Sequence, residues 1–90
     1  MISANEARDR AYEAGVNANA HIAEAMSIIS TLIKDRANKG FFDLDETLDM
    51  VVNPIEMIYI EGYLLKNGYN VIHFSRKGEK TELKIDWEIG

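Results

Sequence analysis

The residues whose side chains are best suited to bind a ligand form a basic cluster near the end of the chain, namely Arg76, Lys77 and Lys80. Tyr69 and His73 precede this cluster. Guanidinium and ammonium groups hold phosphate through charge-assisted hydrogen bonds, and an aromatic ring packs on a base. The candidate ligand-binding residues are therefore Tyr69, His73, Arg76 and Lys77. The alternative is a solvated hairpin tip, where lysines protect strand edges from aggregation.

A second group of chemically capable residues is the acidic run Asp43, Asp45, Glu46 and Asp49. Carboxylates at this density attract calcium, but the run has no glycine for the sharp turn of an EF-hand loop. A glutamate at the distance needed for bidentate binding is also missing. The sequence therefore predicts a short strand at the start of this region, followed by an acidic turn or short helical stretch.

Residues 41–48, Phe-Phe-Asp-Leu-Asp-Glu-Thr-Leu, resemble the first motif of haloacid-dehalogenase-type phosphotransferases, an apolar strand followed by Asp-x-Asp-x-Thr. The resemblance implies a phosphoryl-accepting nucleophile at Asp43 and an acid/base at Asp45, acting beside magnesium. In that family the later motifs lie on parallel strands joined by helical crossovers. Here Ser75 and Asp86 are too close in sequence for a crossover, so this function ranks last.

Metal and redox chemistry have few candidate ligands. The chain contains no cysteine, and its two histidines are His21 and His73. The sequence therefore predicts no disulfide, no metal site and no cofactor. Each histidine is expected to be an ordinary surface residue or a hydrogen-bonded one.

Composition limits the class of protein. Ninety residues, 47% hydrophobic and 28% charged, predict a single globular domain over residues 1–90. The apolar runs are too short for a membrane span or a secretory leader, so we expect a cytoplasmic protein. A formal net charge of -5 repels nucleic acid and anionic membranes, and it favours a basic partner.

The longest predicted element is a helix over residues 4–38. Ser3 and Glu6 have capping-box spacing, and an apolar stripe at helical spacing follows them to Leu32. Such a helix is about 52 Å long, whereas a compact chain of this size is about 30 Å across. Either the helix breaks around residues 15–19, or its alanine-rich half packs on another copy.

We prefer the second alternative, because the apolar stripe keeps its phase through the suspected break. The predicted chain is then a homo-oligomer, with residues 4–38 used for assembly and residues 41–90 forming a compact part. The predicted oligomer interface consists of Ala7, Ala11, Ala14, Ala18 and Ile22. Residues 22–33 are expected to belong to the core.

The compact part begins with a clear helix start, in which Asn53 caps a helix that has Pro54 in its first position. We predict a second helix over residues 54–66, closed by an Asn-Gly pair. The residues expected to face inward are Ile55, Ile58, Tyr59, Gly62 and Leu65.

Two strand patterns follow, and the link between them is too short for a crossover helix, so they form an antiparallel hairpin. In the second strand, Leu83, Ile85 and Trp87 alternate with polar residues. The predicted fold class is α+β: a long N-terminal helix, a short strand, a second helix and a C-terminal antiparallel β-hairpin, with helices on one sheet face.

Four short patterns occur in order along the chain: Ser-Ala-x-Glu-Ala-Arg, Lys-Gly, Leu-x-x-x-Gly-Tyr-x-Val and Ile-x-Trp. They consist of Ser3, Ala4, Glu6, Ala7, Arg8, Lys39, Gly40, Leu64, Gly68, Tyr69, Val71, Ile85 and Trp87. In this order they resemble short phage and prophage-encoded accessory proteins. The acidic insertion between Gly40 and Asn53 departs from the pattern, which places the strand alignment there in question.

The resemblance implies a stoichiometric binder of a host protein or of a small signalling molecule. Together with the unburied stripe, it predicts a non-enzymatic phage-encoded interaction protein that binds a host factor and inhibits a host defence system. One alternative is an oligomeric sponge for a signalling nucleotide, with Arg76 and Lys77 on phosphate and Tyr69 on the base. Another is an acidic mimic of nucleic acid that uses Asp35 and residues 43–49. Direct binding to nucleic acid or membrane is not expected.

Overall fold

The computed structural model describes residues 1–88, apart from the side chains of residues 16–18. Over this part of the chain, three helices and a three-stranded antiparallel sheet confirm the predicted α+β class. The helices are α1 (Ala4–Ala18), α2 (Ala20–Asn38) and α3 (Pro54–Lys66). The strands are β1 (Asp43–Leu48), β2 (Asn70–Lys77) and β3 (Lys80–Asp86), and their order in the sheet is β1-β3-β2.

The single helix predicted over residues 4–38 is two helices, which separate at Asn19. Asn19 has extended backbone angles, with φ -113° and ψ 112°. Its side-chain oxygen accepts hydrogen bonds from the backbone N–H groups of His21 and Ile22, at 3.0 and 3.1 Å. The continuous helix was therefore a wrong prediction. The spacing of apolar residues gives no sign of the break, because the Asn19 side chain satisfies the free N–H groups at the start of a new helix without changing that spacing.

Because of this break, α1 packs against α3 of the same chain. A Cβ atom on Gly15 would overlap the ring of Tyr59, and a Cβ atom on Gly62 would overlap the ring of Tyr12. The two rings meet edge to face with their centroids 6.2 Å apart. The tyrosine of each helix thus packs on a glycine of the other helix. Tyr12 contacts Gly62 and Gly15 contacts Tyr59, so the two helices run antiparallel.

The core lies between α2, α3 and one face of the sheet. Its buried apolar residues are Ile22, Ala25, Met26, Ile29, Leu44, Leu48, Val52, Ile60, Leu64, Leu83 and Ile85. The prediction that residues 22–33 belong to the core is confirmed for the inward face of α2, which supplies four of these side chains. The other face of the sheet is covered by no described element, and its exposed side chains are mostly polar or charged, among them Asp45, Thr47, His73, Lys77 and Lys84. The apolar Ile72, at the irregularity in β2, is 55% exposed.

The acidic run was predicted to be a turn or a short helical stretch, but its first three members, Asp43, Asp45 and Glu46, lie in strand β1, and Asp49 directly follows that strand. Residues 43–48 pair with residues 81–86 of β3 along their whole length. Leu44 and Leu48 are an even number of residues apart, so both project to the core face. The aromatic pair that was expected in the strand precedes it instead, with Phe41 46% and Phe42 61% exposed.

Helix α3 has the predicted bounds but a different inward face. Ile60 and Leu64 are buried, whereas Ile55, Ile58 and Leu65 are 67%, 58% and 54% exposed. The inward orientation predicted for these three residues is wrong, because α3 is apolar on most sides and the spacing fits more than one face. As a result, α3 presents a second apolar face, away from the core.

Candidate functional site

The structure separates the predicted ligand-binding residues. Tyr69 precedes β2 and packs edge to face against Trp87, with ring centroids 5.9 Å apart. Arg76 lies near the other end of β2, where its Nε donates to the carbonyl of Gly78 at 3.0 Å. Seven residues of strand span about 23 Å. Tyr69 and Arg76 therefore do not surround a single nucleotide.

His73 and Lys77 lie on the open face of the sheet in a polar cluster that the sequence did not indicate. His73 Nε2 is 2.9 Å from Ser75 Oγ and 3.8 Å from Glu82 Oε2. Lys77 Nζ is 3.6 Å from Glu82 Oε1. A serine-histidine-acid triad needs the serine and the acid on different ring nitrogens, whereas both approach Nε2 here. The hairpin register, which sets Ser75 opposite Glu82 and His73 opposite Lys84, is the signal that would have revealed this cluster.

The two aspartates of the phosphotransferase-like motif lie on β1, an edge strand of an antiparallel sheet. Asp43 Oδ1 accepts a hydrogen bond from Arg36 at 2.9 Å, and Asp45 lies opposite Lys84. The resemblance requires a parallel sheet, which this arrangement does not provide. Within residues 1–88, no three side chains of metal-binding type come together to hold an ion.

The acidic surface proposed as a nucleic-acid mimic is partly neutralised. Asp35 pairs with Lys39 at 3.1 Å, one helical turn away, and the first aspartate of β1 pairs with Arg36. Exposed pairs of this kind are individually weak, but they lower the local density of negative charge. The mimic therefore gains no support from the geometry.

A histidine-glutamate pair joins the start of α2 to the start of α3. His21 Nδ1 lies 2.5 Å from Oε2 of Glu56, a residue only 7% exposed. The other oxygen, Oε1, accepts from the backbone N–H of Asn53 at 3.0 Å, which completes a capping box. Burial raises the pKa of Glu56, but the Asn53 hydrogen bond and His21 together lower it below its ordinary value. These contacts tie the start of α2 to the start of α3.

Three of the five residues predicted to form an oligomer interface are exposed on α1, namely Ala7, Ala11 and Ala14. Ile22 is 2% exposed and belongs to the core, so it has no surface to offer a second copy. The side chain of Ala18 lies outside the described residues. The alanine stripe is thus still on the surface after α1 has packed on α3.

Leu65, one of the exposed apolar residues of α3, lies beside α1. Arg8 and Leu65 both line the furrow where the two helices meet. Ala11 follows Arg8 by three residues and Ile58 precedes Leu65 by seven, so each pair shares one helix face. We call the exposed residues on this side of the helix pair the outer helical surface. It consists of Ala7, Arg8, Ala11, Ala14, Ile58, Glu61 and Leu65.

No family model, curated protein or solved structure matches the chain. The resemblance to phage accessory proteins therefore stays a prediction. Among the helices described, none is long and apolar enough to cross a membrane.

Proposed function

We propose that this chain is a non-enzymatic interaction protein that assembles with a second copy of itself through the outer helical surface. The observation that carries the proposal is the 58% exposure of Ile58 and 54% exposure of Leu65 beside a stripe of exposed alanines. Contiguous exposed apolar surface of this kind is typical of protein interfaces. Burying it against a partner removes apolar area from water.

The shapes on this surface complement each other. Alanines leave a shallow strip along α1, whereas Ile58 and Leu65 project from α3. A twofold axis brings the α1 strip of one copy against the projecting side chains of the other, and the reverse contact follows by symmetry. Each copy then contributes both halves of the contact.

The charges around the outer helical surface also favour a second copy of the chain as its binding partner. Arg8 and Glu61 border the apolar residues, and neither forms an ion pair within residues 1–88. The same twofold axis places Arg8 near Glu61 of the second copy. Opposite charges at the rim of an apolar contact fix its orientation more than its strength.

The sequence also predicts what the assembled protein acts on. Binding of a host factor, inhibition of a defence system, phage origin and action in the host cytoplasm all stay predictions. The nucleotide sponge has less support, because its proposed base-binding and phosphate-binding residues lie at opposite ends of β2.

Size-exclusion chromatography with light scattering over a concentration series tests self-association. We expect the native chain to have the mass of a dimer or larger assembly, and Ile58→Lys and Leu65→Lys to be monomeric. Ile72→Lys is the matched control, because Ile72 is 55% exposed but lies on β2. A native chain that stays monomeric at every concentration would refute the proposal.

A charge exchange tests the orientation. We expect Arg8→Glu and Glu61→Arg each to weaken association several-fold, and the double variant to restore it, because the opposite charges are again paired. If the double variant associates no better than the single ones, the two residues do not meet across the axis.

A further inference from the structure

A cleft lies on the opposite side of α3 from the outer helical surface, and it is lined by different residues. It lies between α2 and the C-terminal half of α3 and has a volume of about 440 Å³. Its partly exposed apolar lining consists of Ile33, Tyr63 and Tyr69. Met26 and Leu64 also line it, but they are only 7% and 1% exposed. The volume of this cleft falls within the range of small-molecule sites, and its lining is of mixed polar and apolar character.

The charge in this cleft comes from Lys34. It is the one charged residue among the described residues that line the cleft, and no carboxylate of residues 1–88 pairs with it. Ser30 precedes it by one helical turn and also lines the cleft. An ammonium group and a hydroxyl on one helix face, beside partly exposed apolar side chains, suit an anion that carries an apolar body.

The C-terminal end of α3 offers little to a cation. Its carbonyls already accept backbone hydrogen bonds, with Asn67 N–H donating to Tyr63 and Leu64 and Tyr69 N–H donating to Leu64. The Asn67 side-chain amide also donates to the carbonyl of Tyr63, at 2.8 Å. The acceptors that normally give a helix C-terminus its negative potential are therefore largely occupied.

We propose that this cleft binds a small aromatic monocarboxylate. The Lys34 ammonium and the Ser30 hydroxyl donate to its carboxylate oxygens. The flat apolar body packs against the partly exposed Ile33 and the rings of Tyr63 and Tyr69, where offset or edge contacts between aromatic groups are favourable. This site is independent of self-association, because the cleft contains none of the residues assigned to the outer helical surface.

The test is an NMR titration of the ¹⁵N-labelled full chain with 2-naphthoate, and with 2-naphthamide as its neutral counterpart of the same shape. We expect saturable shifts at the backbone amides of residues 30, 34, 67 and 69 with naphthoate. Lys34→Met should weaken naphthoate binding about tenfold, the value of one charge-assisted hydrogen bond, and leave naphthamide binding unchanged. Lys80→Met, which changes an exposed lysine at the β-hairpin, should bind naphthoate as the native chain does.

Further measurements separate this proposal from its alternatives. Octanoate binding more tightly than naphthoate would overturn the aromatic assignment. Equal binding of naphthoate and naphthamide, or no saturable shift, would overturn the carboxylate site. The monomeric Ile58→Lys variant should retain naphthoate binding, so a failure of self-association leaves this result intact.

Discussion

Thr81 joins the loop after β1 to the central strand β3, although it is a polar residue with no exposed surface. Its hydroxyl donates to the carbonyl of Met50 at 2.9 Å and accepts from the N–H of Val52 at 3.2 Å. We expect Thr81→Val, which keeps the shape, to lower the free energy of unfolding by about 2 kcal/mol, because two backbone groups lose their partner. Urea denaturation measures this loss.

Thr47 provides the control for this substitution, because it is exposed on the other face of β1. Thr47→Val should change the free energy of unfolding by less than about 0.5 kcal/mol. An equal loss in both variants would mean that strand propensity, rather than the buried hydrogen bonds of Thr81, determines the effect.

Glu56 makes the stability depend on acidity. Its pKa lies below the ordinary value of 4.5, although burial alone would raise it, so its charged form stabilises the fold above that pH. We expect the free energy of unfolding to fall as pH decreases from about 4.5 through the pKa of the folded state. Glu56→Gln should show a flatter profile in that range, measured by urea denaturation across a pH series.

An exposed acid serves as the control for Glu56. Glu79 lies in the turn between β2 and β3, so Glu79→Gln should keep the acid dependence of the native chain. If Glu56→Gln retained the native slope while Glu79→Gln lost it, the assignment to the contacts with Asn53 and His21 would be wrong.

The elements differ in how well the sequence determines them. The bounds of α3 were predictable because Asn53, Pro54 and the Asn-Gly pair after Lys66 are local signals whose partners lie within a few residues. Its inward face was not, because Ile58 and Ile60 are equally apolar and only the position of the sheet selects between them. Local chemistry fixed where α3 begins and ends, and tertiary packing fixed its rotation.

The contact between α1 and α3 depends on two glycines. We expect Gly62→Ala to displace the ring of Tyr12 and loosen α1, although alanine itself favours the helix by about 1 kcal/mol. Hydrogen exchange should therefore become several-fold faster at the α1 amides and remain unchanged at the buried amides of α2. The α2 amides are protected by the core, to which no described residue of α1 belongs.

A double-mutant cycle isolates this contact. In a Tyr12→Ala background the new Cβ atom meets no ring, so Gly62→Ala should add no further acceleration at α1. If the two substitutions accelerate exchange additively, the tyrosine does not occupy the space above Gly62.

The whole molecule measures 42 × 33 × 18 Å, so its shortest dimension corresponds to one helical layer on one sheet. This shape leaves two broad faces in solvent, the polar sheet face and the outer helical surface. The open sheet face follows from the alternation of apolar and polar residues in β3, but the outer helical surface as a whole was not predictable from the sequence, since the position of α1 depends on Tyr59 meeting Gly15 across more than forty residues. Ala7, Ala11 and Ala14 of the predicted interface are exposed because α1 uses another face, bearing Tyr12, to contact α3.

Net charge sets how this assembly responds to salt. Each copy carries a formal charge of -5, so repulsion between copies opposes association when screening is weak. The screening length falls from about 30 Å at 0.01 M salt to about 8 Å at 0.15 M. Because the proposed contact is mainly apolar, we expect association to be at least about twofold tighter at the higher salt concentration.

Sedimentation equilibrium at the two salt concentrations measures this change in association, and Ile58→Lys should stay monomeric at both. Dissociation of the native assembly as salt rises would show instead that ion pairs such as Arg8 with Glu61, rather than the exposed isoleucine and leucine, hold the copies together.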